Sequence, residues 1–120
     1  MKYLLVFLGG GFGAISRYIL AGAVQSIFPG DFPLGTFVVN MLGSFLIGFL
    51  FSLEGFGFLS AESRLLLMVG FLGGFTTFSS FMLESFSLMP SLSAWINVIG
   101  QVVVGLISVY LGIVVGRWVV

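Results

Sequence analysis

The sequence predicts an all-α membrane protein with four transmembrane helices, the third of them broken in mid-membrane. Three observations carry that prediction. The 120 residues are 59% hydrophobic and only 7% charged, with a mean hydropathy of +1.27, values far outside the range of a soluble domain. They divide into four apolar runs, near 3–28, 34–54, 64–88 and 94–118, each matching the roughly 20 residues needed to cross the hydrocarbon. The third run contains Gly73-Gly74-Phe75-Thr76-Thr77-Phe78-Ser79-Ser80-Phe81, a mixture of glycines, hydroxyls and rings that a lipid-facing helix has no use for.

Between the runs lie Pro29-Gly30-Asp31-Phe32-Pro33, the stretch from Glu54-Gly55 to Glu62, and Met89-Pro90-Ser91. Each carries proline, glycine or charge where a helix stops. The connections are short, so 1–120 reads as a single four-helix transmembrane domain with no soluble part. The absence of cysteine and histidine removes the usual ligands and nucleophiles of disulfide, zinc, haem and thiol chemistry. A net charge of zero gives no basic patch for nucleic acid. Scattered carboxylates without histidine or cysteine form no nucleophile and base pair, so an enzyme is not expected.

The first run opens with Lys2 and passes Ala21-Gly22-Ala23, which imitates a secretory leader. Arg17 interrupts it, its length exceeds a leader core, and the next span follows at once; it is expected to be a true span. Gly9-Gly10-Gly11-Phe12-Gly13 has neither a preceding strand nor a following Gly-Lys-Ser/Thr, so it is no phosphate loop. Arg17 is costly to bury on a lone helix; it either snorkels to the headgroups or serves an anion vestibule. An N-terminus on the same side as the second loop and the C-terminus places Lys2, Arg64 and Arg117 together against Arg17 alone. The positive-inside rule then favours a cytoplasmic N-terminus, by a margin small enough to leave insertion in both orientations open.

The second run aligns Thr36, Asn40 and Ser44 on one face by their spacing of four. That stripe should meet protein or water. The Asn40 amide either ties two helices together or offers its NH2 to an anion.

In the third run Gly73-Gly74 weakens the helix by about 1 kcal/mol per glycine, and Thr76 and Thr77 compete for backbone groups. The run either breaks there, leaving carbonyls that can bind a cation as in transporters with broken helices, or stays whole and uses its glycines for close packing. Phe78 and Phe81 share a face, with Phe71 and Phe75 rotated away. Ring edges carry partial positive charge, so these two beside Ser79 and Ser80 could line the path of a small anion. Glu84 is the one carboxylate inside a predicted span: a proton carrier, a counter-charge for Arg17, or a group reaching the interface.

The fourth run places Asn97 and Gln101 on one face, followed by Ser108, a pattern compatible with ordinary helix contacts. Gly9 to Gly13, Gly70 to Gly74 and Gly112 to Gly116 are four apart, spacings that let helices approach closely either within the chain or across a dimer interface. A bundle of four helices has little room for a pore, so a transport path calls for a second copy.

Three blocks in order, Gly-Gly-Gly-Phe-Gly-Ala-Ile-Ser-Arg-Tyr at 9–18, Gly-Thr-Phe-Val-Val-Asn-Met-Leu-Gly-Ser-Phe at 35–45 and Gly-Phe-Leu-Gly-Gly-Phe-Thr-Thr-Phe-Ser-Ser-Phe at 70–81, resemble the Fluc/CrcB family of microbial fluoride channels. The resemblance covers nearly the whole chain. It implies an antiparallel dimer of dual topology in the cell membrane, formed by two copies or by a homologous partner of opposite orientation, with two pores along the interface. By position it makes Asn40 the pore amide and Phe78 and Phe81 the rings that meet fluoride. Ser79 and Ser80, with Thr77, become the polar track, and the carbonyls of Gly73 and Thr76 from each subunit hold a structural sodium ion. Arg17 and Glu84 match charged positions of the family, as vestibule or structural charges. Ser80 stands where threonine is commoner, and Gly105 where some members carry a pore-side serine.

What the resemblance implies about activity is passive export of cytoplasmic fluoride and relief of its toxicity. HF crosses lipid uncharged, ionises inside and is trapped, and the negative interior drives the anion out. The rival is a proton-coupled exporter of the small multidrug type, which wants a carboxylate deep in the first span, where this chain has Arg17 and no acid. A non-conducting assembly subunit would explain the glycines but not the hydroxyls and rings gathered around the break.

Overall fold

The computed structural model describes all of residues 1–120 and contains four helical spans. α1 covers Lys2–Ile27 and α2 Leu34–Gly55. The third span has two parts. Its first part, α3 (61–75), begins with an α-turn at Ala61–Arg64, widens into a π-helix over Leu65–Phe71 and closes with an α-turn at Leu72–Phe75. Its second part is α4, Phe78–Ser87, and the last span is α5, Leu92–Val119. The third span starts earlier than its apolar run because Ser60 caps it, its side chain accepting the Ser63 N–H. The π-helical stretch has no counterpart in the sequence reading.

The break falls on Thr76 and Thr77, both extended with φ, ψ of −81°, 154° and −144°, 118°. The paired glycines thus do not unwind; Gly73 and Gly74 sit inside the last turn of α3. Threonine hydroxyls end one helix and start the next. Thr76 Oγ1 donates to Leu72 O at 2.9 Å, and Thr77 Oγ1 accepts the Ser80 N–H at 3.2 Å as the N-cap of α4. These local hydroxyl bonds offer the backbone an alternative to continuing the helix.

Gly74 has another task, which it shares with the other spaced glycines: close packing within the chain. A Cβ on Gly9 would overlap Leu66 O, one on Gly13 would overlap Phe71 O, and one on Gly74 would overlap Gly10 O. The first two glycine pairs therefore face each other between α1 and α3. Gly112 meets Phe45 O, Gly48 meets Val109 O, and a Cβ on Gly116 would come within 2.7 Å of Ser52 Cβ, so the third pair seats α5 on α2. All these approaches lie within one chain. Lipid tails are as apolar as leucine, and close van der Waals packing does the work that the hydrophobic effect does in water.

The apolar core is correspondingly small. Val39, Leu72 and Phe75 are buried together, with Leu20, Ala21, Leu46, Ile47, Leu50 and Phe71 packed against them, directly beneath the break. Phe71 and Phe75 stack at 5.6 Å and belong to this packing. Elsewhere only Phe81 and Ala94 are buried apolar side chains, many of the large ones are exposed, and α1 buries only Gly9 and Gly13.

The first connection is organised by Gln25. Its Nε2 donates to Gly30 O and Phe32 O, and its Oε1 accepts the Gly35 N–H, each at 3.1 Å. One side chain thereby satisfies a loop whose prolines supply no N–H. Across the second connection Arg64 of α3 pairs with Glu54 of α2 at 3.2 Å, the lone ion pair of the chain, with Arg64 exposed and Glu54 half-buried.

Replacing Gly13 by alanine is expected to lower the thermal midpoint and the yield of monodisperse protein in detergent. Gly11→Ala, where a Cβ meets nothing within 4 Å, is expected to be neutral or slightly stabilising by about 1 kcal/mol or less. Melting curves of the two variants check the contrast.

Candidate ion pathway

A helix continuing through 76–77 would send the Thr77 N–H to Gly73 O. Here that N–H instead donates to Asn40 Oδ1 at 2.9 Å, while Asn40 Nδ2 donates to Thr77 O at 3.0 Å. The side-chain amide of α2 takes the place of both helical partners of a single peptide residue. A broken backbone at membrane depth is tolerated only when its groups are satisfied in this way.

The second hydrogen of Asn40 Nδ2 goes to Gln101 Oε1 on α5 at 2.8 Å. From there a series of bonds runs inward. Gln101 Nε2 donates to Asn97 Oδ1 at 3.2 Å, Asn97 Nδ2 to Ser85 Oγ at 2.8 Å, and Ser85 Oγ to Phe81 O at 2.7 Å. The series leaves α4 at Thr77 and returns to it at Phe81, so the first turn of α4 is tied from both ends. Asn97, Gln101 and Ser85 are buried. Sequence reasoning placed no pathway role on them, and the available signal was two amides one helical turn apart in an apolar span.

The break opens onto a recess of about 480 Å³. It is lined by Asn40, Thr77, Phe78, Phe81, Gln101 and the break residues Gly73 and Thr76, with Ser44 further along α2. Phe78 is 72% exposed, whereas Phe81 is buried at 5%. Their rings meet edge to face, with centroids 5.8 Å apart and planes at 79°. The predicted site residues Asn40, Thr77, Phe78 and Phe81 are therefore brought together. Ser79 and Ser80 do not line the recess: Ser79 Oγ lies 3.5 Å from Thr77 Oγ1, and Ser80 contributes its N–H to the cap. Gly105 faces Met41 and Ser44 at ordinary contact distance, 3.6 and 3.8 Å from a Cβ built on it.

The two charges flank the break separately. Arg17 Nε donates to Gly74 O at 3.1 Å, taking a carbonyl that the broken helix leaves without its N–H partner. Glu84 Oε1 accepts from Thr36 Oγ1 at 2.8 Å, and its Oε2 has no partner. No ion pair joins Glu84 to Arg17, so the counter-charge reading of Glu84 gives way to a hydrogen bond that pins α4 to α2. The stripe Thr36–Asn40 thus binds helices together, and Ser44 is its free end.

No cluster of three acidic, histidine or cysteine side chains exists to hold a metal ion. The N–H groups due to Gly73 O and Thr76 O, those of Thr77 and Ser80, are diverted to Asn40 and to the cap. Both residues line the recess.

Comparison with known proteins matches residues 4–113 to the family described as CrcB-like protein, Camphor Resistance (CrcB). A fluoride-specific ion channel FluC of Pyrococcus abyssi (strain GE5 / Orsay) is 44% identical over 118 residues, spanning 95% of this chain and 94% of its own. The FluC of Magnetococcus marinus is 45% identical over 121 residues, spanning 98% of each chain. FluC 1 of Methanosarcina acetivorans is 45% identical over 113 residues, spanning 91% of this chain and 86% of its own.

Asn40→Ala strands the Thr77 N–H and C=O and the Gln101 oxygen, and is expected to cost about 2–4 kcal/mol, from three unmade, partly buried bonds. Denaturant melts in detergent measure the loss, and faster hydrogen exchange at the Thr77 amide locates it. Ser87→Ala, which removes an exposed bond to Leu83 O, is the neutral control.

Proposed function

Because the chain belongs to the CrcB-like family, we propose that it is a passive, fluoride-selective channel that exports the anion across the cell membrane. The observation that carries this reading is the recess itself. An amide, a hydroxyl and two phenyl rings converge beside a broken helix, in a chain closely similar to proteins named as fluoride-specific ion channels. It is a membrane protein and a transporter of ions, not an enzyme. The proton-coupled exporter finds no support: α1 carries Lys2 and Arg17 as its only charges and no carboxylate.

Fluoride in a low-dielectric medium faces a Born cost on the order of tens of kcal/mol, so compact donors must replace its water. The Asn40 amide, the Thr77 hydroxyl and the ring edges of Phe78 and Phe81 are such donors in narrow space, and Ser79 and Ser80 continue the polar track beyond the recess. Larger anions fit worse and gain less from the same groups. Passive conduction requires neither ATP nor a proton couple; the membrane potential suffices.

The recess is open on one side, and the exposure of Phe78 supports closure by a second copy. An antiparallel dimer would place the break of each protomer against that of its partner and complete two pores. It would also bring the Gly73 and Thr76 carbonyls of both copies together. Their diverted N–H groups and their position in the recess fit a sodium ion, which would lock the interface by neutralising carbonyl dipoles. Arg17 would serve as a vestibule charge while bracing the break through Gly74 O, and Glu84 as one while pinning α4 to α2.

Fluoride efflux from liposomes holding only this purified chain, with chloride as control, tests the reading; release of fluoride and retention of chloride are expected. Asn40→Asp is expected to abolish flux by setting a negative charge in the path, and Phe81→Ile to cut it while the dimer still assembles. Exchanging sodium for a bulky organic cation is expected to lower the thermal stability of the dimer. An unchanged melt would remove sodium from the interface without touching the fluoride reading.

A further inference from the structure

The two hydrogens of the Asn40 amide are both engaged. One is held on Thr77 O, and because Asn40 Oδ1 receives the N–H of the same residue, the orientation of the amide is locked. The hydrogen that remains for an ion in the recess is the one on Gln101 Oε1. Gln101 lines the same recess.

Gln101 is held in turn, and with a defined polarity. Each donor points the same way: Gln101 to Asn97, Asn97 to Ser85, and the Ser85 hydroxyl to the Phe81 carbonyl of its own helix. Reversing the Gln101 amide alone would set its oxygen against Asn97 Oδ1 and its NH2 against the NH2 of Asn40. The Thr77 clamp fixes one end of the series and the Phe81 carbonyl the other. Gln101 therefore presents an oxygen to Asn40, in a chain of aligned bonds that polarise one another.

We propose that Gln101 is a specificity-determining residue, its side-chain carbonyl acting as a built-in competitor for the Asn40 hydrogen that a passing anion must capture. This rests on the reading that fluoride passes through the recess. A small anion of high charge density accepts a hydrogen bond more strongly than a neutral amide oxygen does, because the bond is charge-assisted. A large halide spreads the same charge and accepts weakly. Displacing Gln101 is favourable for the first and unfavourable for the second, so discrimination arises from an obstacle to the wrong ion as well as attraction to the right one. Gln101 stays tethered to Asn97 through Nε2 when its oxygen lets go, and it recaptures the hydrogen once the ion moves on.

Gln101→Met keeps the length of the side chain and removes the acceptor. In proteoliposomes of the assembled protein, the ratio of chloride to fluoride efflux is expected to rise about tenfold over wild type, the scale of one competing amide bond. A variant that is merely slower, with the wild-type ratio, assigns Gln101 a structural role and overturns the proposal. Side-chain amide NMR of the wild-type protein in nanodiscs gives a second readout that needs no variant. Sodium fluoride is expected to shift an Asn40 Nδ2 proton resonance and sodium chloride to leave it in place; no shift at fluoride concentrations that support efflux overturns the proposal. Wild-type vesicles that retain their fluoride refute the channel reading and this one with it, whereas wild-type release with an unaltered ratio in Gln101→Met refutes only the role of Gln101.

Discussion

The amide of Asn40 is the constraint on which the rest of this structure depends. A bilayer interior offers no water to an unpaired peptide group, and each such group costs several kcal/mol unless it finds a partner. By presenting an acceptor to the Thr77 N–H and a donor to the Thr77 carbonyl, Asn40 makes an extended residue tolerable in the middle of a span. Everything polar about the pathway follows. The helix ends, α4 starts afresh with a threonine cap, and Phe78 and Phe81 follow on the new helix.

Close helix packing provides the rigidity that such a break requires. α1 lies against α3 and α5 against α2 at glycine contacts where a methyl group would collide with backbone. With so small an apolar core, backbone-to-backbone approach and a few buried polar bonds hold the bundle. The π-helical stretch of α3 lies alongside α1, one α-turn before the break. Arg17, from α1, then occupies the Gly74 carbonyl, so a charged group serves the break it might otherwise have been thought only to flank.

Under the proposed function, selectivity in so small a protein would be a matter of donors and acceptors placed in pairs. A site made only of free donors would bind any anion able to enter it. The series from Asn40 through Gln101, Asn97 and Ser85 makes the central donor conditional, and it ties the ring-bearing turn of α4 to the same bonds. Positioning and the proposed discrimination would then share one network of buried amides, in a span that lipid alone would fill with leucine and valine.

Composition and run length by themselves determined the membrane class, the four spans and their approximate limits, because the thickness of the hydrocarbon leaves a chain of this hydropathy few alternatives. The hydroxyls at Thr76 and Thr77 marked the break for a local reason: they bond to backbone atoms within a few residues. Which glycines pack within the chain, which carbonyl Arg17 serves, that Glu84 answers to Thr36, and that Gln101 holds Asn40 were decided by tertiary structure alone. Those partners lie on different spans, 48 to 61 residues apart along the chain in the three side-chain cases. A periodic pattern tells which face of a helix is polar; only the packed helices tell what that face meets.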